Sequence, residues 1–426
     1  LHERFDAADE QTLAAQPAVR VCGRVTALRR MGGASFLELR DGSDRVQLYA
    51  QKGALGEAAY AELLDPLDLG DFLGVEGPLF RTKKGELSVQ IERFTLLAKA
   101  LLPPPEKWHG VKDTETRYRQ RHLDLMANEA SREAFRTRSR MVTAMRAFLD
   151  ARGFLEVETP VLQPVYGGAS ARPFTTHHHK LDTTLYLRIS DELFLKRLIV
   201  GGFERVYEIG RDFRNEGLST KHNPEFTMME CYQAYADYGA MMDLTEALVA
   251  EVARAALGTT QIAFQGQSIE LAPPWPRLSL RQAILERSGI DFRAHPSAEA
   301  LERAIREAGL KVTPQKTWAK WVDELLSAFV EPTLIQPTFL IDYPHELSPL
   351  AKRKPDDPAL VERFEAFCGG FEIANAYSEL NDPLDQRARF EAEARMRDQG
   401  DEESQPLDED YLAAMEHGMP PTGGLG

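Results

Sequence analysis

The side chains best suited to chemistry lie around a connection between two strand-like segments, Arg205–Phe213 and Glu225–Tyr235. Turn-forming residues fill that connection, Gly217–Pro224, which predicts a hairpin with a long loop. The charged residues beside the loop are Arg211, Arg214, Glu216, Lys221, His222 and Glu225. Cations in such a place suit an anionic ligand, because an Arg guanidinium can grip a phosphate through two hydrogen bonds. The alternative is a solvated hairpin whose charges only face water.

A second group of charged residues lies in the segment Phe371–Asp382. If this segment is a strand without a bulge, Tyr377 and Glu379 lie on one face and Glu372 lies on the other. Acids inside an otherwise apolar strand are costly unless they are paired. A cationic or metal ligand would supply the pairing, whereas solvated charges at a sheet edge are the alternative.

Three adjacent histidines, His177, His178 and His179, raise the question of a metal site. Neighbouring residues on a strand point to opposite faces, so the three rings cannot all bind one ion. We therefore expect no metal site there.

The composition predicts a soluble globular protein with two or three domains, since 27% of the 426 residues are charged and 43% are hydrophobic. No apolar run approaches the ~18 residues that a membrane helix needs. The three cysteines, Cys22, Cys231 and Cys368, are too widely spaced for a disulfide framework, which fits a reducing cytoplasm. The net charge of −15 argues against indiscriminate nucleic-acid binding but not against a local basic surface.

Residues 19–100 contain five short strand-like runs, which suit a small barrel of the OB type. Its cations are Arg24, Arg29, Arg30, Arg40, Arg81, Lys83 and Lys84. Phe36 and Tyr49 could stack on bases, and Gln47 could read a base edge. Alternatively, both rings belong to the core and the cations face water. Prolines 103–105 predict a stiff linker after this region.

Two helices are expected to position the chemical groups. Residues 131–152 carry apolar side chains at helical spacing, and a strand at Phe154–Val161 is predicted to follow. The segment Ser190–Val200 predicts a second helix with Ser190 as its N-cap. Glu192 would then lie near the positive end of that helix, where an acid is favourable.

The loop residues also carry a resemblance. The string FRNE at 213–216 and the string HNPEFT at 222–227 closely resemble motif 2 of class II aminoacyl-tRNA synthetases. The Asn in the first string and the continuation MME at 228–230 are similar to the lysyl-tRNA synthetase branch. The aspartyl and asparaginyl enzymes typically differ in both strings. The resemblance extends from about residue 19 to 426, because further motifs recur in the same order.

Those further motifs lie on both sides of the hairpin. Residues 19–100 resemble the anticodon-binding domain of lysyl-tRNA synthetases, and the helix at 131–152 with its strand resembles motif 1, which builds a dimer interface. Residues 418–426 resemble the start of motif 3. In the family, motif 3 continues into a helix with an Arg that grips ATP, and the sequence as given stops before that Arg.

The resemblance implies an α+β fold with an N-terminal OB-type β-barrel and a class II catalytic domain, an antiparallel sheet flanked by helices. The expected boundaries are 1–102 for the anticodon-binding domain, 103–120 for a linker and 121–426 for the catalytic domain. A variable insertion is expected at about 258–335, and motif 3 is incomplete.

The resemblance also implies an activity: ATP-dependent activation of lysine to lysyl-adenylate, then transfer to the 3′ end of tRNA(Lys). Arg214, Glu216 and His222 take the catalytic roles. Arg214 is expected to bridge the lysine carboxylate and the α-phosphate, while Phe226 stacks on adenine. The implied ATP-binding residues are Arg214, Glu216, Lys221, His222, Asn223, Phe226 and Glu372.

The same resemblance assigns the remaining sites. Glu365 and Glu372 are expected to hold Mg²⁺, a cation that prefers oxygen ligands. Glu230 and Glu379 are expected near the lysine ε-ammonium, where they would reject neutral side chains, because a buried unpaired charge costs several kcal/mol. The implied lysine-binding residues are Gly168, Glu192, Arg214, Glu230, Tyr232, Asn375, Tyr377 and Glu379. The implied anticodon-binding residues are Arg24, Phe36 and Gln47.

The implied partners are tRNA(Lys), ATP, L-lysine and a second copy of the chain, with no membrane and a cytoplasmic location. One alternative is an adenylating relative that modifies a protein, which residues 19–100 argue against. Another is activation of aspartate or asparagine, which Glu230 and Glu379 argue against. A non-catalytic RNA-binding or regulatory paralogue that has lost motif 3 is the third.

Overall fold

The computed structural model describes residues 1–105, 110–219, 222–398 and 404–426. Lys221, an expected ATP contact, lies outside the described residues. The chain divides into two compact units, Leu1–Phe135 and Arg136–Gly426. The domain boundaries expected at 102 and 120 remain predictions, because compactness alone does not assign a role to a segment.

The first unit is built on one sheet with the strand order β5-β6-β3-β2-β1-β4-β7. Its strands are β1 Val19–Met31, β2 Ala34–Arg40, β3 Arg45–Gln51, β4 Phe72–Gly77, β5 Leu79–Arg81, β6 Leu87–Gln90 and β7 Arg93–Ala98. Its helices are α1 His2–Phe5, α2 Glu10–Ala14, α3 Lys52–Leu55, α4 Glu57–Leu64, α5 Thr114–Arg119 and α6 Arg121–Ala127.

Alternation along these strands separates a core face from an outer face. Leu37 and Leu39 are buried on one face of β2, while Phe36 on the other face pairs across from Tyr49 of β3. The sequence predicted five strands, and the described part of this unit has seven. The missed strands are β5, which is only three residues long, and β7, whose mostly exposed residues give no alternating pattern.

The second unit is organised around a sheet with the order β16-β17-β18-β19-β20-β13-β12-β8. The strands of this unit are β8 Leu155–Glu156, β9 Leu162–Gln163, β10 Thr175–His178, β11 Thr183–Leu187, β12 Arg205–Phe213, β13 Glu225–Ala234, β14 Gln261–Phe264, β15 Gln267–Glu270, β16 Arg277–Ser279, β17 Thr338–Ile341, β18 Arg363–Cys368, β19 Phe371–Ser378 and β20 Thr422–Leu425. Neighbours in the sheet are antiparallel except β16 with β17 and β12 with β8. The predicted hairpin is present as β12–β13.

Helices accompany this sheet. Helix α7, Glu129–Asp150, begins in the first unit and ends in the second. The others are α8 Glu192–Val200, α9 Tyr238–Leu257, α10 Leu280–Ser288, α11 Ala298–Glu307, α12 Trp318–Leu325, α13 Pro383–Asp398 and α14 Glu409–Glu416. Leu248 and Val252 of α9 share a buried cluster with Phe364 of β18. No helix within the described residues is long and apolar enough to cross a membrane.

Two local predictions are wrong. The strand expected at Phe154–Val161 is only Leu155–Glu156. Helix α8 starts at Glu192 with Asp191 as its N-cap, so Ser190 is not the cap. The Ser190 hydroxyl still accepts a hydrogen bond from the Glu192 N–H at 3.1 Å, which shows that a polar side chain does serve the helix start, one residue earlier than expected.

A bulge corrects the predicted faces of β19. Ala374 pairs with Ala366 and Glu372 pairs with Phe367, which leaves Ile373 as an extra residue. Because paired residues share a face, Glu372 lies on the same face as Glu365 and Tyr377, whereas the sequence predicted that it lies opposite Tyr377. The sequence could not reveal the bulge, since no glycine or proline interrupts the strand.

Arg188 ties β11, the start of α8 and β12 together. Its side chain is 1% exposed, and its guanidinium lies 2.6 Å from Glu208, 2.9 Å from Asp191 and 3.1 Å from Asp212. It also donates to the carbonyl oxygen of Arg211 at 2.9 Å. Three buried acids therefore depend on one buried cation for their pairing.

We predict that Arg188→Met lowers the free energy of unfolding by about 3–5 kcal/mol, because it leaves buried acids without their cation. Chemical denaturation of the whole chain measures this loss. The exposed Arg211 on β12 provides the control, and Arg211→Leu should change the same quantity by only about 0.5 kcal/mol. Equal losses in the two variants would contradict the prediction.

Candidate active site

Arg214 and Phe226 meet where the β12–β13 hairpin opens into its loop. The guanidinium carbon of Arg214 lies 5.1 Å from the centre of the Phe226 ring, and both side chains are half-buried. The Arg214 Nε also donates to the carbonyl oxygen of Ile189 at 3.3 Å. A cation beside an aromatic face can serve a ligand that carries both a negative charge and a flat ring.

The loop residues Glu216, His222 and Asn223 are exposed. His222 Nδ1 lies 2.9 Å from the hydroxyl of Ser219, and Asn223 Nδ2 donates to the carbonyl oxygen of Glu225 at 2.6 Å. These contacts are made within the loop, so they organise its ends rather than join it to the acids described next.

Three acids from separate elements form what we call the acid pocket, together with two tyrosines. Glu192, Glu230 and Glu379 are all buried, at 5%, 5% and 1% exposure. Tyr377 Oη donates to the Glu192 carboxylate at 2.6 Å, and Tyr232 Oη donates to Glu230 at 2.9 Å. Buried carboxylates need a positive partner, so this pocket suits a ligand with a cationic group.

Lys196 is a member of this pocket that the sequence analysis missed. It is 0% exposed, and its ammonium forms ion pairs with Glu192 and Glu379. The ammonium also lies 5.4 Å from the ring centre of Tyr377 and 6.0 Å from that of Tyr232. A lysine inside the apolar run of α8 was the signal that could have revealed it, because lysine is rarely buried without a partner.

Burial shifts the ionisation of the acid pocket. It raises the pKa of Glu230 to about 7, and the negative charges of Asp212 and Glu192 add to this effect, while a hydrogen bond from Ser190 opposes it. Burial also raises the pKa of Glu379 well above its usual value. The Glu230 carboxyl is therefore partly protonated near neutral pH until a further cation binds beside it.

The acid pocket adjoins the Arg188 group. Ser190 Oγ donates to Glu230 at 2.8 Å, and the Asp191 N–H donates to the same carboxylate at 3.3 Å. Burial and the charges of Glu230 and Asp212 raise the pKa of Asp191 to about 10. A proton shared within this coupled group relieves the repulsion among acids that have one cation between them.

Glu365 and Glu372 come together across the bulge of β19. Tyr343 Oη donates to Glu365 at 2.7 Å, and Arg363 forms an ion pair with it. Loss of water around the Glu372 carboxylate and the negative charge of Glu365 raise the pKa of Glu372 above its usual value, although part of the residue is exposed. Asn375 pairs with Glu365 in the sheet and accepts a hydrogen bond from Arg363 Nε at 3.1 Å.

Two neighbouring carboxylates fit a magnesium ion that also keeps phosphate or water ligands. The mutual repulsion of Glu365 and Glu372 is what a divalent cation would relieve. Within the described residues, no group of three or more His, Cys, Asp or Glu side chains could hold a metal. The pair therefore fits a shared ion rather than a closed protein site.

Two glycines form close walls of the acid pocket. Gly168 has a φ of +89°, and a Cβ there would lie 2.8 Å from Ser190 Oγ. A Cβ at Gly424 of β20 would collide with Glu379 and lie 2.5 Å from a ring carbon of Tyr232. Only glycine fits these positions without moving the pocket, and Gly424 was not singled out from the sequence.

In the first unit, the expected anticodon-binding residues lie on the outer sheet face. The Phe36 ring is half-buried and stands 5.0 Å from that of Tyr49, so neither ring belongs to the core cluster. Gln47 donates to the hydroxyl of Ser88 at 2.9 Å. The Arg24 guanidinium lies over a neighbouring phenylalanine ring at 4.3 Å. Such a face offers aromatic and cationic groups to a single-stranded nucleic acid.

Comparison with known proteins adds two family matches. Residues 113–426 match the model of the class II tRNA synthetases for D, K and N. Residues 19–97 match the model of the OB-fold nucleic acid binding domain. These matches support the predicted fold class, an OB-type unit followed by a class II catalytic unit.

Curated relatives extend the similarity along nearly the whole chain. A lysine–tRNA ligase of Dehalococcoides mccartyi strain 195 is 57% identical over 409 residues, which cover 96% of this chain and 82% of the relative. A lysine–tRNA ligase of Moorella thermoacetica is 55% identical over 426 residues, covering 100% and 86%. One of Chloroflexus aurantiacus is 53% identical over 421 residues, covering 99% and 86%.

We predict that Gly424→Ala lowers the free energy of unfolding by about 1–3 kcal/mol, because the added methyl group must displace buried groups. Chemical denaturation measures the change. Gly217, which has nothing within 4 Å of an added Cβ, provides the control in the same unit. Gly217→Ala should shift unfolding by only about 0.5 kcal/mol, and a Gly424→Ala protein as stable as this control would refute the crowding described.

Proposed function

The chain belongs to the class II tRNA synthetases of the aspartate, lysine and asparagine type, and from this premise we propose that it is a lysine–tRNA ligase. It uses ATP to convert L-lysine to lysyl-adenylate and then transfers the lysyl group to the 3′ end of tRNA(Lys). The acid pocket is the observation that supports lysine as the substrate, since three buried carboxylates in one place suit an amino acid with two ammonium groups.

In the first step, a carboxylate oxygen of lysine attacks the α-phosphorus of ATP, and the bond to the bridging oxygen breaks to release pyrophosphate. Attacker, target and leaving group are all negative, so the site must align them and screen their repulsion. Arg214 would contact both the lysine carboxylate and the α-phosphate. No general base is needed, because the attacking carboxylate is already ionised.

The nucleotide would occupy the open end of the β12–β13 hairpin. Phe226 would stack on adenine and Glu216 would accept from its amino group. His222 and Asn223 are assigned to the phosphates, together with Lys221. The closeness of Arg214 to Phe226 supports this arrangement, because it brings a phosphate partner within reach of a stacking ring.

We assign Glu365 and Glu372 to Mg²⁺. The ion would supply positive charge to the phosphates of ATP, which is how magnesium usually serves nucleotide sites. Asn375, beside Glu365 in the sheet, is assigned to the carboxylate end of lysine.

The acid pocket would bind both ammonium groups of lysine. Glu192 and the backbone at Gly168 are assigned to the α-ammonium, and Glu230 and Glu379 to the ε-ammonium. A neutral side chain would leave a buried carboxylate unpaired, which gives the discrimination that hydrophobic contact alone cannot supply.

The other partners follow from the premise. The outer face of the first unit, with Arg24, Phe36 and Gln47, is assigned to the anticodon of tRNA(Lys). We further propose a homodimer and a cytoplasmic location. Exposed apolar side chains at Met141, Leu155 and Leu162 support a self-association surface in the second unit, and sedimentation analysis would test it.

ATP–pyrophosphate exchange with each amino acid in turn tests the function. We expect exchange with lysine and none with aspartate or asparagine, because the acid pocket repels an anionic side chain and leaves a neutral one unpaired. Exchange driven by another amino acid would overturn the substrate. A folded protein that exchanges with none would favour a non-catalytic RNA-binding role.

We predict that Glu230→Gln raises the KM for lysine by about 10–100-fold, because a hydrogen bond to a charged group contributes about 1.5–3 kcal/mol. The KM for ATP should stay close to the parent value. The exposed Glu251 on α9 gives the control, Glu251→Gln, which should leave both constants unchanged. Equal effects of Glu230→Gln on lysine and ATP would contradict the assigned pocket.

We predict that the KM for lysine rises as the pH falls below about 7. The pKa of Glu230 is raised to about 7, so below that pH its carboxyl is protonated and no longer attracts an ammonium. Steady-state exchange across the pH range measures this dependence. It should be weaker in Glu230→Gln, and a parent KM that does not change with pH would refute the assignment.

A further inference from the structure

Lys196 raises a question that the substrate-binding acids alone do not answer. It is a fully buried cation inside a pocket proposed to bind cations. Its charge competes with the ligand for the same carboxylates, and an apolar residue would fit the run of buried residues on α8 at no such cost. Its presence therefore calls for a role in the pocket itself.

We propose that Lys196 is a positioning residue that sets the charge of the amino-acid site: its ammonium holds Glu192 and Glu379 in place and leaves the pocket with two negative charges, equal to the two ammonium groups of lysine. This inference rests on the proposed function. The balance applies to the lysine-bound state, in which all three carboxylates are ionised and one internal ammonium offsets one of their charges.

The geometry places Lys196 where it can serve two acids from different elements. Glu192 lies one helical turn earlier on α8, at the spacing that brings side chains together. Glu379 follows β19 on the central sheet. Since both form ion pairs with the same ammonium, Lys196 fixes the distance between the acid assigned to the α-ammonium and one assigned to the ε-ammonium.

Other titratable groups surround the ammonium from every packed element. They are Glu192 on α8, Glu230 and Tyr232 on β13, Tyr377 on β19, Glu379 just after β19, and Tyr411 on α14. All of these are acids or phenols, so Lys196 is the positive member of this set. Without it, the carboxylates would repel one another and take up protons.

The charge balance also bears on selectivity. An amino acid with a neutral side chain brings one ammonium and leaves one negative charge of the pocket unpaired. Lysine brings two, and its carboxylate is directed to Arg214 instead. Charge matching would thus favour diamino acids before side-chain length is considered.

The test measures lysine and ATP KM values by ATP–pyrophosphate exchange in Lys196→Met and Lys196→Arg between about pH 6 and 9. In Lys196→Met we expect the lysine KM at neutral pH to rise at least about tenfold while the ATP KM changes little, because the acids become protonated. The lysine KM should fall again at higher pH, because its whole pH profile is displaced toward higher pH by about one unit. Lys196→Arg keeps the charge and should keep the parent pH profile.

Arg197 provides a matched control on the same helix. It pairs with Asp408 rather than with the pocket acids. Arg197→Met removes a cation one residue away and should leave the pH profile of the lysine KM unchanged. An equal displacement in this variant would overturn the proposal, because any lost ion pair would then have the same effect.

A double variant keeps the proposal testable if Lys196→Met does not fold. Lys196→Gln with Glu379→Gln removes one charge of each sign and keeps two negative charges. We expect its lysine KM to lie below that of Lys196→Gln alone at neutral pH, and the opposite order would overturn the proposal. A uniform fall in kcat with unchanged KM values and pH profile would show a structural role only. Absence of lysine-dependent exchange in the parent protein would instead refute the proposed function.

Discussion

The second unit depends on the pairing of buried charge. Arg188 holds Asp191, Glu208 and Asp212, and Lys196 holds Glu192 and Glu379, with Glu230 bordering both groups. A buried ion without a partner costs several kcal/mol, so the elements that supply these side chains cannot move independently. The start of helix α8 contributes acids to both groups, so it links the sheet to the candidate site.

The strand order of the central sheet determines which of these charged side chains lie close together. Strand β20 inserts between β13 and β19, and its Gly424 leaves room for Tyr232 and Glu379 to lie close together. The bulge at Ile373 turns Glu372 toward Glu365. The sheet therefore carries three kinds of group: the cation and ring at the hairpin, the Glu365–Glu372 pair on β18 and β19, and acids of the acid pocket on β13 and after β19.

The sequence predicted those features that depend on residues close together along the chain. The β12–β13 hairpin and the family were readable because motif residues stand at fixed spacing. Lys196 was missed because its partners lie on other elements, and Gly424 because a glycine-rich run has low strand propensity. The face of Glu372 depended on a bulge with no local signal, and the start of α8 was misplaced because Ser190 and Asp191 are both good caps.

The central claim is that buried carboxylates, partly protonated in the free protein, bind the ammonium groups of lysine. The most direct measurement is the number of protons released on lysine binding, from calorimetric titrations in buffers of different ionisation enthalpy. Because burial raises the pKa of Glu230 to about 7, we predict net release of protons when lysine binds near pH 7. Lysine binding without proton release near pH 7 would contradict the account.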